Sequence, residues 1–155
     1  LVSVLGGKWT TYRKIGEDTI NTASVVGDLK EKKCKTKKLL LHGYDDDAPT
    51  GDPLHVYGSE REKILSMGKP EDNDSLSEKF YISKNTILWG VQNEMAIHLE
   101  DVLARRVRCL FLDAEETLRI APKVAGIMAI ALEKDENWVA QELKQFKTLS
   151  KNYIL

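Results

Sequence analysis

From residue 56 to the end of the chain, apolar residues recur with the spacing of an α-helix. The clearest stripe belongs to a helix predicted from about Asn85 to Ala104 and consists of Leu88, Val91, Met95, Leu99 and Val102. Residues three and four positions apart share one face of a helix, so each such stripe must be buried against another segment. We therefore predict a mainly α fold, with a helical bundle over residues 56–155.

Helix-start signals accompany this pattern. Ser59 with Glu62 has the spacing of a capping box, and Asp113 and Asp135 each precede an apolar periodic run, as N-cap residues do. Proline lacks an amide donor, so we expect Pro122 to break or kink the helix that begins after Asp113.

The first 27 residues follow a different pattern, that of a strand, a turn and a helix. Leu1–Leu5 is a short apolar run closed by Gly6 and Gly7, and Thr10 or Thr11 can cap a helix predicted to end near Thr22. Because a chain that opens within a strand lacks that strand's neighbours, we expect residues 1–27 to be a remnant of a larger domain. Residues 28–55 are predicted to be a linker or loop.

A basic tract opens the predicted linker. Its six lysines are followed directly by three leucines: Lys30, Lys32, Lys33, Lys35, Lys37 and Lys38, then Leu39, Leu40 and Leu41. We interpret the tract as a solvated linker, since no amphipathic stripe is visible in it. The alternative is contact with anionic lipid headgroups, which attract clustered basic residues.

Composition excludes several classes of function. The net charge of −1, with Glu94, Glu100 and Asp101 close to Arg105, Arg106 and Arg108 in the sequence, argues against a nucleic-acid partner. We expect these arginines to pair with carboxylates such as Glu94 and Glu100. Two distant cysteines and three scattered histidines predict no disulfide framework and no metal site. No apolar run reaches the roughly 20 residues that span a bilayer.

The segment that best suits chemistry is Gly6-Gly7-Lys8-Trp9-Thr10-Thr11. Two glycines before a helix start let the main chain approach a ligand closely, and the first helical amides attract negative charge. Lys8 adds a cation, and the two threonines add hydroxyls. From the residues alone, an anion or cofactor edge and a plain turn with a threonine cap both remain open.

The same segment resembles the part of FAD-dependent glycerol-3-phosphate dehydrogenase, the aerobic quinone-linked family, that returns the chain to the flavin. Residues 56–59 (VYGS) resemble that family's entry to its C-terminal domain, and residues 93–108 (NEMAIHLEDVLARRVR) resemble one of its helices. Residues 112–114 and 121–125 continue the likeness in order. His98 and Val107 depart from it, since many relatives have threonine there.

The resemblance implies oxidation of sn-glycerol 3-phosphate to dihydroxyacetone phosphate, with hydride passing to FAD and electrons to quinone. Gly6, Gly7 and Lys8 would lie beside the isoalloxazine ring, with Thr10 and Thr11 near its pyrimidine edge. Lys8 would be the catalytic residue, directed at the substrate phosphate or the reacting oxygen. Arg13 would either touch substrate or make a structural ion pair. The family further implies a cytoplasmic protein that is peripheral at the cytoplasmic face of the membrane.

The glycine-rich motif that binds a dinucleotide pyrophosphate does not occur in the sequence. We therefore expect the chain alone to hold no FAD and to be inactive. Its expected partner is the rest of the FAD-binding domain, and an unpaired first strand predicts a weak homodimer or a frayed N-terminus. The alternative hypothesis is a non-catalytic helical module for self-association or partner binding.

Overall fold

The computed structural model describes residues 1–154 and divides the chain into two compact units, Leu1–Tyr44 and a second that begins at Asp45. Each is helical, which confirms the mainly α prediction. The α-helices are α1 Tyr12–Val26, α2 Arg61–Leu65, α3 Lys84–Asn93, α4 Cys109–Leu112, α5 Ala114–Ala131 and α6 Glu136–Ser150, with a π-helical turn at Asp101–Arg106. Short 3-10 turns occur at Trp9–Thr11, Thr36–Lys38, His55–Glu60, Pro70–Asn73 and Lys151–Tyr153.

The predicted strand at Leu1–Leu5 is wrong. Residues 1–8 have no regular secondary structure, and no strand occurs anywhere in residues 1–154. A strand is stabilised by hydrogen bonds to a neighbouring strand, and this unit contains only helices and loops. The helix that follows is present and runs further than predicted, to Val26. Thr11 occupies its N-cap position but makes no side-chain capping bond.

Local helix signals in the second unit were partly correct. The carboxylates of Asp113 and Asp135 accept hydrogen bonds from the amides of Glu116 and Trp138, each at 2.9 Å, so both predicted caps are confirmed. The Ser59 capping box is wrong, because α2 begins only after a 3-10 turn and its N-cap, Glu60, makes no capping bond.

The long helix predicted from Asn85 to Ala104 is interrupted. It ends at Asn93, and Met95 adopts a left-handed backbone conformation with φ of 58°. The side chain of Met95 is 84% exposed, so it does not belong to the buried stripe, whereas Leu99 and Val102 do. The chain re-enters a helical path only in the π-helical turn.

The core of the second unit forms where α5 packs against α3 and α6. Ile120, Val124 and Met128 of α5 are fully buried, and Phe146 of α6 is nearly so. Pro122 neither breaks the helix nor ends it, since α5 continues to Ala131. Tyr153 is exposed, and its ring makes an edge-to-face contact with that of Phe111, with centroids 5.3 Å apart.

Within the described residues, none of the helices combines the length and the apolar character needed to cross a membrane.

Candidate functional site

The glycine turn before α1 has the backbone geometry that only glycine adopts easily. Gly6 has φ of +76° and Gly7 has φ of +138°, after which Lys8 is extended. A Cβ at Gly6 would meet no atom within 4 Å, so the main chain there is open to an approaching group. A Cβ at Gly7 would lie 2.8 Å from Cδ1 of Ile15, so a larger residue would push that side chain away.

A 3-10 turn joins the glycines to α1. The amide and the hydroxyl of Thr11 both donate to the carbonyl oxygen of Lys8, at 3.0 and 3.1 Å. The rings of Trp9 and Tyr12 stack with centroids 5.3 Å apart. The hydroxyl of Thr11 is thus committed to holding the turn, which explains why it does not cap the helix.

Only three of the five residues predicted to bind the cofactor line a common surface. Gly6, Gly7 and Lys8 line an open depression of about 550 Å³ together with Trp9 and side chains of α1. Thr10 and Thr11, which also lie in the described part of the chain, do not line it. Glycine main chain and a lysine side chain on one surface are compatible with an anionic or planar ligand, because they offer close approach and positive charge.

Arg13 makes an ion pair rather than pointing to that depression. Its guanidinium donates to the Glu17 carboxylate at 2.8 Å, one helical turn away. The same nitrogen lies 3.4 Å from the hydroxyl of Thr36 and 3.9 Å from Sγ of Cys34. A hydrogen bond with Thr36 lowers the pKa of the Cys34 thiol. This cluster is not visible in the sequence, because Arg13 and Cys34 are 21 positions apart.

The arginines that follow α3 make structural pairs. Arg105 donates to Glu100 at 2.6 Å and to Asp101 at 2.9 Å, while Arg106 lies 3.4 Å from the Glu94 carboxylate. These contacts confirm the predicted pairing for both arginines. Arg108 has a left-handed backbone, with φ of 57°, and makes no ion pair within residues 1–154. The arginine cluster is therefore mostly neutralised by neighbouring carboxylates.

Two nearly buried carboxylates tie the second unit together. Glu142 of α6 accepts a hydrogen bond from the amide of Leu99 at 2.8 Å and lies 2.9 Å from Nδ1 of His98. That contact raises the pKa of His98. Glu116 of α5 accepts hydrogen bonds from Arg119 at 2.6 Å and from Ser77, which lower its pKa to about 2. These groups brace helices and loops of the second unit.

No group of three or more histidine, cysteine, aspartate or glutamate residues in the described chain could hold a metal ion. Cys34 is partly exposed and Cys109 is buried, and both are free thiols.

Comparison with known proteins identifies the family. Residues 34–139 match the model of the C-terminal domain of alpha-glycerophosphate oxidase. The chain belongs to this family. The match begins after Lys8, so the glycine turn lies outside it.

Curated relatives extend the similarity to the glycine turn. A probable mitochondrial glycerol-3-phosphate dehydrogenase of Dictyostelium discoideum is 30% identical over 172 residues, covering 99% of this chain and 26% of that protein. The mitochondrial glycerol-3-phosphate dehydrogenase of Mesocricetus auratus is 30% identical over 88% of this chain and 22% of that protein. The human enzyme is 30% identical over 93% of this chain and 23% of its own length.

The chain thus spans about a quarter of the length of the relatives that it matches. No solved structure matches it. The likeness to the dehydrogenase family proposed from the sequence is confirmed at the level of the C-terminal domain.

Proposed function

We propose that this chain is the C-terminal portion of an FAD-dependent enzyme that oxidises sn-glycerol 3-phosphate to dihydroxyacetone phosphate and passes the electrons to quinone. The observation that carries the proposal is the similarity over nearly the whole chain to proteins named glycerol-3-phosphate dehydrogenase. Because the chain covers only about a quarter of those proteins, the activity belongs to the complete protein, and the chain alone is inactive.

FAD would supply the hydride acceptor of this reaction. Gly6 and Gly7 would bring main chain against the flavin, since glycine has no side chain and the space beside Gly6 is open. Lys8, which is exposed, would offer its charge to the substrate phosphate or to the reacting oxygen. Thr10 and Thr11 would lie near the pyrimidine edge of the flavin, with the Thr11 hydroxyl holding the turn in place.

The partner of the first unit would be the remainder of the FAD-binding domain. Leu1, Leu5 and Trp9 are all highly exposed, and so are several apolar side chains on α1. Apolar surface of this extent is normally covered by another domain or subunit. In the isolated chain the same side chains would produce weak self-association, which sedimentation velocity at increasing concentration would detect.

The decisive experiment compares two lysine variants in the complete gene product. With glycerol 3-phosphate and a quinone analogue, Lys8→Met is expected to lower kcat/KM by roughly 100-fold, the usual effect of losing a charged group that stabilises a transition state. Lys14→Met is the matched control, because Lys14 is exposed and pairs with Asp18 on the surface of α1. Equal activity of both variants and the wild type would remove Lys8 from the site.

A second experiment tests the inactivity of the isolated chain. The purified 155-residue chain is expected to show no flavin absorbance and no dye reduction with glycerol 3-phosphate. Bound flavin would contradict the proposal that the isolated chain does not hold FAD. The alternative, a non-catalytic helical module, predicts that the complete gene product also lacks the activity.

The relatives are named as mitochondrial proteins, so the cytoplasmic location stays a prediction, which fractionation of the source cells would test.

A further inference from the structure

A groove in the first unit lies outside the proposed flavin edge. It has a volume of about 790 Å³ and runs between α1 and the segment that carries the lysine tract. Its apolar lining comes from Tyr12 and Ile20 on α1 and from Leu39, Leu40 and Leu41 on the facing segment. A cavity of this size is in the range that accommodates a small molecule of drug-like or lipid-like dimensions.

The three leucines are unusually exposed for consecutive apolar residues. Leu39, Leu40 and Leu41 have 67%, 66% and 65% of their surface accessible. Exposing such side chains to water is unfavourable, so an apolar group lying along them would be stabilised.

Positive charge surrounds the same groove. Lys32, Lys33, Lys35 and Lys37 line it, and none of them makes an ion pair with a carboxylate in the described part of the chain. Glu17, the carboxylate that lines the groove, is already paired with Arg13.

The charge of the sequence divides unevenly between the two units. Residues 1–44 contain nine lysines and arginines against four aspartates and glutamates, so their net charge is +5, whereas the remaining residues carry −6. Although the net charge of the whole chain is near zero, the first unit therefore has a positive field that favours an anion at this groove. The sequence showed the lysines and the leucines as successive runs, and the fold brings both to one surface.

We propose that this groove binds a single-chain anionic amphiphile of the fatty-acid class. Its acidic group is held by the lysines, and its alkyl chain covers Leu39, Leu40 and Leu41. Neither feature alone requires such a ligand, because lysines attract any anion and leucines accept any apolar group. Their combination within one groove selects a molecule that carries both. The proposal does not depend on the activity proposed above.

The first test is a chain-length series measured by calorimetry on the 155-residue chain, using decanoate, dodecanoate and tetradecanoate below their micelle concentrations. Affinity is expected to rise roughly tenfold for each added pair of methylenes until the groove is filled, as burial of alkyl surface requires. Dodecanol, which lacks the charge, is expected to bind roughly tenfold more weakly than dodecanoate.

Two triple variants separate the contributions of charge and apolar surface. Lys32→Gln/Lys33→Gln/Lys35→Gln is expected to weaken dodecanoate binding roughly tenfold while preserving the chain-length dependence. Leu39→Ser/Leu40→Ser/Leu41→Ser is expected to abolish that dependence. The matched control is Lys144→Gln/Lys147→Gln/Lys151→Gln, which removes the same charge from exposed positions outside the groove and should bind like the wild type. Circular dichroism spectra of all three variants check that the helices are retained.

Cys34 gives a readout at the groove itself. It lines the groove and is partly exposed, whereas Cys109 is buried. Dodecanoate is expected to slow alkylation of Cys34 and to leave Cys109 unaffected.

The proposal is overturned if affinity does not change with chain length, if the surface control weakens binding as much as the groove lysines do, or if Cys34 is not protected. It is also overturned if the chain binds vesicles of phosphatidylcholine and phosphatidylglycerol but none of the monomeric amphiphiles, because that result would indicate a bilayer surface contact.

Discussion

Replacing Glu142 by alanine would test whether a single buried carboxylate holds the segment after α3 against α6. Its side chain accepts the Leu99 amide at 2.8 Å and contacts His98, residues more than forty positions away in sequence. Leu99 is fully buried, so its amide would lose its partner in a place that water does not reach. An unsatisfied buried donor costs about 1–3 kcal/mol. The exposed His98 contact adds about 0.5 kcal/mol after solvent screening.

Urea unfolding followed by circular dichroism gives the corresponding free energies. Glu142→Ala is expected to lower the free energy of unfolding by about 2–3 kcal/mol. Glu142→Gln, which keeps an oxygen for the Leu99 amide, should cost about 1 kcal/mol. His98→Ala removes only the exposed contact and should cost about 0.5 kcal/mol. The reasoning fails if Glu142→Ala unfolds at the urea concentration of the wild type, or if His98→Ala is equally destabilising.

The same pair predicts how stability depends on pH. The contact with Glu142 raises the pKa of His98 above its ordinary value of 6.5, so protonated His98 is favoured in the folded state. Its contribution is complete below about pH 6.5 and is lost as the pH rises through the higher folded-state pKa. The stability difference between the wild type and His98→Ala should therefore narrow as the pH rises above about 6.5. A difference that widens over this range would contradict the assignment.

Three further predictions concern other parts of the molecule. Because Arg119 and Ser77 lower the pKa of Glu116 to about 2, its contribution to stability is present above the ordinary value of 4.5 and is lost as the pH falls towards 2. Acid titration of unfolding should therefore show Glu116→Gln less stable than the wild type at neutral pH and equal to it at the acid end. Gly58 has φ of 51° and ψ of −125°, so Gly58→Ala should lower the free energy of unfolding in urea by about 1–3 kcal/mol. Gly126 lies inside α5, and an added Cβ would meet no atom within 4 Å. Gly126→Ala should therefore raise the free energy of unfolding by about 0.5–1 kcal/mol. Iodoacetamide should modify Cys34 well before Cys109, as mass spectrometry would show, because burial raises the pKa of Cys109 to about 11; simultaneous modification would contradict this.

Features fixed by a few neighbouring residues were the ones that could be predicted from the sequence. Asp113 and Asp135 cap their helices because the cap depends only on the next three residues. The burial of Leu99 and Val102 follows from helical spacing in the same way. The resemblance to a known family, shown by the long motif over residues 93–108, is likewise readable directly from the sequence.

Features that depend on backbone conformation or on distant residues were missed. The spacing of Met95 fits a continuous helix, yet the backbone turns there, and the amide of Ala96 bonds to the carbonyl of Gly90 to end α3. The run Leu1–Leu5 has the composition of a strand, but a strand also needs a neighbour, which composition cannot supply. Arg13 contacts Cys34, and α1 forms one groove with the segment that carries the lysines and leucines, only after the chain has folded back on α1. For the glycine turn, the residues alone predicted a backbone suited to a ligand, whereas the identity of the ligand came from the family resemblance.

The π-helical turn has a consequence for how the domain tolerates changes in length. Its bond from the amide of Val107 to the carbonyl of Val102 spans five residues, so the turn accommodates one residue more than an α-helical turn does. Each residue of an α-helix rotates the chain by about 100° about the axis. Inserting one more residue here would swing the downstream segment by about that angle and take Leu110 out of the core in which it is now buried, whereas deleting one residue would only convert the π-helical turn into a regular α-helical one. Single-residue deletions between Asp101 and Arg106 should consequently be better tolerated than single-residue insertions at the same place.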